Sequence, residues 1–302
     1  MPLRHATLRQ FKVFETLAQH VSVVRTAEAL HLTPPAVSIQ VKQLAESVGH
    51  PLVEQIGKQL FLTAHGRLVA LACRDIFDRL ETLDQELAGL QGLERGALSV
   101  AIITTASYFL PRLLGDFCGE HPEIAVALHV GNRETILGRM ERNEDDLYIL
   151  GQPPDDARIT AAAFAPNLLF AVATPQHPLA GKVAVTPERL AREPFLARER
   201  GSGTRLAAED FFSRLGLRPS IRMELGSNEA IKQSIAGHLG YSILSESAVG
   251  GELDRGELVR LDVVGLPLKR QWYAAHPRTK VLSPATRAFF RFLEDSAGTK
   301  PG

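Results

Sequence analysis

A chain of 302 residues, 45% hydrophobic and 23% charged, is long enough to bury a sizeable core and to form more than one globular unit. Its 34 Lys and Arg balance 34 Asp and Glu, which excludes a global basic field and makes any DNA binding a local property. The longest apolar runs, such as 98–106, fall short of a membrane span, residues 1–10 lack an apolar signal core, and Cys73 and Cys118 have no partners at ligand spacing. The expectation is a cytoplasmic protein with no membrane partner, no zinc finger and no disulfide framework.

Leu8, Phe11, Phe14, Leu17 and Ala18 recur at helical spacing and predict a first helix with one apolar face. Ser22 is the candidate N-cap of a second helix, with Val24, Ala27 and Leu30 inward. Thr33 followed by Pro34 predicts the start of a third, because a proline in the first turn lacks only an N–H that has no partner there. Val37, Val41, Leu44 and Val48 form its inner face, which places Pro35, Ser38, Ile39, Lys42 and Glu46 outside. Two short helices joined by a tight turn match a helix-turn-helix that enters the major groove, and a strand-like run at 51–62 adds a hairpin. Spacing alone fits equally a three-helix packing unit that binds nothing. Charge does not decide, since residues 1–66 carry six basic and four acidic side chains, six minus four giving +2.

Residues 63–93 contain no proline, and Val69, Cys73, Ile76, Leu80, Leu83, Leu87 and Leu90 follow one another at alternating intervals of four and three. That 3.5-residue period predicts a long helix whose apolar seam pairs with a second copy, against the alternative of an amphipathic helix packed within one chain. After Gly96 the composition changes. Strand-like runs at 98–103, 124–130, 147–150, 169–174 and 241–245 alternate with amphipathic stretches, which predicts an α/β domain with a largely parallel sheet.

Thr104 and Thr105 close the first of these strands, where open α/β sheets bind ligands. A second candidate place is Glu199-Arg200-Gly201-Ser202-Gly203-Thr204-Arg205: the glycines let the backbone approach a ligand, the hydroxyls donate, and Arg200 and Arg205 can neutralise phosphate. By itself this run fits an ordinary helix-capping loop as well. No G-x-S-x-G, Walker A, H-E-x-x-H or G-x-G-x-x-G motif occurs, and His121, His177, His238 and His276 are isolated. No enzyme is expected, hence no catalytic residue, cofactor or metal.

The run 27–38, Ala-Glu-Ala-Leu-His-Leu-Thr-Pro-Pro-Ala-Val-Ser, with Gln43-Leu44, Gly49, Pro51-Leu52 and Leu62-Thr63-x-x-Gly66, resembles the winged helix-turn-helix of LysR-type transcriptional regulators. The resemblance continues through 226–232 and 240–245. Residues 54–58, 146–154, 198–205, Trp272-Tyr273 and His276-Pro277 resemble the subgroup that controls carbon-fixation (Calvin-cycle, RuBisCO) operons. It implies an α+β multidomain fold: a winged helix-turn-helix over 1–62, a coiled-coil linker helix over 63–93, and a two-lobed α/β domain of the periplasmic-binding-protein kind over 94–302. Lobe I would take 96–165 and 270–302, and lobe II 166–269.

The resemblance further implies DNA contacts by Arg25, Thr33, Pro34, Pro35, Ser38, Lys42, Gln55 and Lys58. It places an effector against Thr104, Thr105, Asn132, Arg200, Gly201, Ser202, Gly203 and Thr204. Promoter DNA, a homodimer or homotetramer, and an anionic effector such as ribulose bisphosphate, phosphoglycolate or NADPH are the implied partners. Pro34 stands where the family usually has Gln, Val53 where it has Phe, and Gln55 where many members have Arg. The alternatives are a regulator of another metabolic operon and a dimeric small-molecule-binding protein without specific DNA binding.

Overall fold

The computed structural model describes residues 3, 6–57, 59–90 and 96–296, and the chain divides into two units, Met1–Asp84 and Gln85–Gly302. In the first, side chains set the helix starts. Thr7 and Gln10 form a reciprocal capping box on α1 (Leu8–His20), Ser22 caps α2 (Val23–Ala29), and Thr33 caps α3 (Pro34–Val48). α3 ends at Gly49, whose φ of +81° suits a residue without Cβ. The hairpin β1 (Val53–Ile56) and β2 (Gln59–Leu62) then leads into α4 (Ala64–Leu90).

Phe14, Leu17, Ala27, Val37, Leu44 and Leu52 form the core of this unit. Leu8 and Val24, expected inside, are 53% and 56% exposed; Val13 is buried instead, and Thr26 is buried because its hydroxyl donates to the Ser22 carbonyl. Gly66 has a specific role. Any Cβ there would collide with the Leu52 carbonyl, while Thr63 donates to the Pro51 carbonyl and accepts from the Gly66 N–H, binding the wing to the start of α4.

In the second unit, β3 (Gly96–Ile103), a 3₁₀ turn (Thr104–Tyr108), α5 (Leu110–Glu120), β4 (Ile124–Gly131), α6 (Arg133–Glu141) and β5 (Leu147–Leu150) come first. The long β6 (Ile159–Ala173) follows, then α7 (Pro187–Leu190), β7 (Pro194–Arg198), α8 (Gly203–Arg214), β8 (Ser220–Leu225), α9 (Asn228–Ala236) and β9 (Ser242–Ser245). α10 (Glu246–Asp254), β10 (Val259–Arg260), β11 (Leu268–Pro277) and α11 (Pro284–Asp295) complete it.

The main sheet runs β10-β6-β11-β5-β3-β4, with β9 also on β6. It is mixed, which corrects the expectation of a largely parallel sheet. β3 lies parallel to β4 and β5, but β11 is antiparallel to both β5 and β6, and β9 and β10 are antiparallel to β6. β6 carries the chain from one lobe into the other and β11 brings it back, so the two pair directly rather than through a helical crossover. Lobe I packs around Val100, Ile102, Phe117, Ile149, Trp272 and Phe289. Lobe II packs around Phe195, Phe212, Tyr241 and Ile243 on one side and Ile231, Ile235, Leu244 and Val249 on the other.

Candidate functional sites

The DNA-facing candidates follow from the phase of α3. With Val37, Val41 and Leu44 buried, Thr33, Pro34, Pro35, Ser38 and Lys42 are exposed, and Arg25 and Gln55 are exposed on α2 and β1. Thr33 uses its hydroxyl as the helix cap, and Ser38 donates its own to the Pro34 carbonyl at 3.1 Å. Either hydroxyl keeps acceptor capacity toward a base edge or bridging water. Lys42 lies 3.9 Å from Glu46, a loose pair with both side chains largely in solvent, so a DNA phosphate can take its place. Gln55 donates to the Gly57 carbonyl across the wing tip, and Lys58 lies outside the described residues.

The heptad seam divides. Cys73 is fully buried in the core of its own chain, which corrects its expected place at a dimer interface, and Val69 packs, partly buried, against that core. The start of α4 closes the helix-turn-helix unit, and burial there pushes the Cys73 thiol up to about 12. Leu80, Leu83 and Leu87 stay 39%, 41% and 50% exposed, and Ile76 is partly buried. The side chain of Leu90 lies outside the described residues.

In the second unit a cavity of about 200 Å³ opens between the lobes. β3 brings Ile103 to it and the following turn Thr105; α6 brings Arg133; the end of β5 brings Gly151 and Gln152. From β6 come Asn167 and Leu169, from β9 Ser245, from β11 Arg270, and from the first turns of α8 Gly203, Thr204 and Asp210. Asn167 and Arg270 are direct cross-strand partners at the crossing of β6 and β11, and Ser245 donates to the Asn167 side-chain oxygen at 2.8 Å. The N-cap Ser202 makes no side-chain capping bond to the start of α8, whose Gly203 and Thr204 line the cavity.

The electrostatics of this cavity call for an anion. Burial lowers Arg133 from the usual guanidinium value, and its guanidinium reaches the Gln152 carbonyl only at 3.5 Å. Arg270, 21% exposed, is lowered first by burial and further by Arg214 and Arg133, with Asp210 opposing at 3.8 Å; it also donates to the Gln152 side chain. Two half-buried cations that repel each other, beside a helix N-terminus, are stabilised by a bound negative charge.

Of the effector residues expected from sequence, Thr105, Gly203 and Thr204 line this cavity, while Thr104, Asn132, Arg200, Gly201 and Ser202 do not. Thr104 accepts a hydrogen bond from the buried Arg198, and Asn132 caps α6. Gly201, at φ +83°, packs so closely on Glu134 that a Cβ would clash, and its carbonyl accepts from the Glu134 N–H. Ser202 is buried, and Arg200 is exposed outside the lining. Arg205 is neutralised by Glu209 at 2.7 Å and Glu224 at 2.5 Å. Sequence reasoning missed Arg133 and Arg270. Arg133 opens α6 two residues past the end of β4, next to Asn132, so its neighbour on the strand-to-helix turn was read and it was not.

Residues 8–67 match the family described as "Bacterial regulatory helix-turn-helix protein, lysR family", and residues 91–298 match "LysR substrate binding domain". The chain belongs to the LysR family. It is therefore a transcriptional regulator and not an enzyme. Among LysR relatives it is 56% identical over 293 residues to a RuBisCO operon transcriptional regulator of Acidithiobacillus ferrooxidans, covering 97% of this chain and 95% of the other. It is 45% identical to the HTH-type transcriptional activator CmpR of a Synechocystis strain, covering 96% of each chain. The regulatory domain of Synechocystis PCC6803 CcmR, solved in complex with 2-PG, superposes with a TM-score of 0.66 at 46% identity, covering 68% of this chain and 99% of that one. Among the described residues no helix of this LysR chain is long and apolar enough to cross a membrane.

Proposed function

We propose that this LysR regulator controls carbon-fixation genes, RuBisCO genes among them, in response to a small phosphorylated carboxylic acid of the 2-phosphoglycolate (2-PG) type. The observation that carries this reading is the pairing of Arg133 and Arg270 with the uncapped start of α8 around one small cavity. The arginines and helix amides take the phosphate, while Thr105, Thr204, Asn167, Ser245 and Gln152 supply neutral hydrogen bonds for the carboxylate end. The similarity to RuBisCO operon regulators and to a domain solved with 2-PG supports both halves. The 2-PG complex of the similar regulatory domain favours phosphoglycolate over ribulose bisphosphate or NADPH.

In this reading residues 1–62 bind promoter DNA, with Thr33, Pro34, Pro35, Ser38 and Lys42 in the major groove, Arg25 on the backbone, and Gln55 and Lys58 in the wing. Residues 63–93 pair two copies through Ile76, Leu80, Leu83, Leu87 and Leu90, and residues 94–302 sense the effector. The test is binding of the purified chain to its own upstream DNA and to random DNA at two salt concentrations, with and without 2-PG. Specific, salt-sensitive binding altered by 2-PG is expected. Specific binding indifferent to 2-PG would overturn the effector, and no preference for any promoter fragment would overturn the regulatory role.

A further inference from the structure

Ligand contacts explain why the lobes close on an effector, but not what holds them together on the flank of the cavity. The 3₁₀ turn Thr104–Tyr108 continues directly from β3, and its Ala106 belongs to the lobe I core. Thr105 in the middle of the turn lines the cavity, whereas Tyr108 at its end does not. The Tyr108 hydroxyl instead donates to Glu229 at 2.8 Å, on the first turn of lobe II helix α9. Glu229 is held in turn by Lys232 at 2.7 Å.

Lys232 is only 7% exposed, is shared with Glu252 of α10 at 2.9 Å, and sits 5.1 Å from the centre of the Tyr108 ring. The phenol of lobe I is thus gripped at its oxygen and at its face by one acid–base pair of lobe II. A second crossing lies four residues earlier in the turn, where Arg198 of β7 donates to the Thr104 hydroxyl at 3.2 Å.

We propose that Tyr108, Glu229 and Lys232 are positioning residues that latch the two lobes and set effector affinity without touching the effector. The proposal rests on the reading of the inter-lobe cavity as the effector site. A ligand held by Arg133 and Thr105 from lobe I and by Gly203 and Thr204 from lobe II binds best when the lobes are in their closed arrangement. The Tyr108–Glu229 bond joins the lobes in the arrangement this structure holds, and favouring that arrangement raises the affinity of a ligand that binds it best. Thr105 and Tyr108 share one short turn, so displacement of the turn on effector binding loads or releases the same bond.

The test is Tyr108→Phe in the full-length chain, which deletes the hydroxyl and keeps the ring. In the ligand-free protein, amide hydrogen exchange should rise several-fold across 104–108 and the first turn of α9, with β3 and the melting temperature unchanged. In a 2-PG titration the dissociation constant should rise by about threefold to tenfold, as expected for one partly exposed hydrogen bond to a charged acceptor. Glu229→Gln should give a similar shift, and the double variant should be no worse than the larger of the two single effects. Wild type that binds 2-PG with Tyr108→Phe matching it within twofold would overturn the latch. Wild type that does not bind 2-PG would overturn the effector reading; the exchange measurement then judges the latch alone, and unchanged exchange would refute it.

Discussion

Replacing Arg133 by Gln separates a binding arginine from a structural one. Among the described residues its guanidinium has one distant acceptor, the Gln152 carbonyl at 3.5 Å, and burial lowers its pKa. A base whose pKa falls on folding costs stability wherever the side chain is charged, and at neutral pH an arginine is charged throughout. Removing that charge should therefore leave the melting temperature unchanged or raise it. Binding should respond in the opposite sense. A phosphate near neutrality carries a charge of about −1.5 to −2, and at about 4 Å in a medium of effective dielectric near 20 each unit of charge is worth about 4 kcal/mol before desolvation.

Losing one member of a buried charge pair costs about 2 to 5 kcal/mol, and the partly open cavity argues for the lower end, about 2 to 3 kcal/mol. At about 1.4 kcal/mol per decade the dissociation constant for 2-PG should rise by about 30- to 150-fold. The assay is built into the chain: Trp272 is the single tryptophan, is fully buried, and lies two residues from Arg270 beside Gly151 of the cavity wall. Its fluorescence should report titration directly. An affinity within threefold of wild type, or a melting temperature that falls while affinity holds, would refute the assignment of Arg133 to an anion.

Lys42→Ala should weaken binding to operator and random DNA alike and lower the slope of log K against log salt by about one, whereas Ser38→Ala should reduce preference for the operator; equal losses on both DNAs for Ser38→Ala would contradict its placement at base edges. Gly66→Ala should destabilise the helix-turn-helix unit by about 2 kcal/mol or more in urea unfolding, because the new Cβ meets the backbone carbonyl of Leu52 rather than a movable side chain. Leu83→Glu places a charge in the exposed seam of α4 and should convert dimer to monomer in sedimentation velocity, while Cys73→Ala should lower stability and leave the association state intact.

The first unit was legible because its signals are local. Ser22 and Thr33 each announce a helix within four residues, and the inner face of α3 needs only a period of 3.6. Where a tertiary partner intervened, the reading slipped. Val69 and Cys73 continue the heptad as faithfully as Leu80 and Leu83, and only the packing of α4 onto α1 and α3 shows that the first pair closes a core while the second faces outward.

The sensing cavity inverts this balance. Gly203 and Thr204 were found in the run that opens α8, but the adjacent Arg205 is tied to Glu209 and Glu224, acids that a linear reading has no means of placing. The cations that face the cavity come from separate elements, Arg133 from α6 and Arg270 from β11. Arg270 sits on β11, a strand that alternates charged and polar residues with partly buried ones because it runs along the crossing between two lobes, and so lacks the apolar run that marks β3. Its role depends on its register: opposite Asn167, and near enough to Arg133 that the Arg133 charge lowers its affinity for a proton. A site assembled at a strand crossing is specified by pairing, and pairing between β6 and β11 joins residues that the sequence keeps far apart.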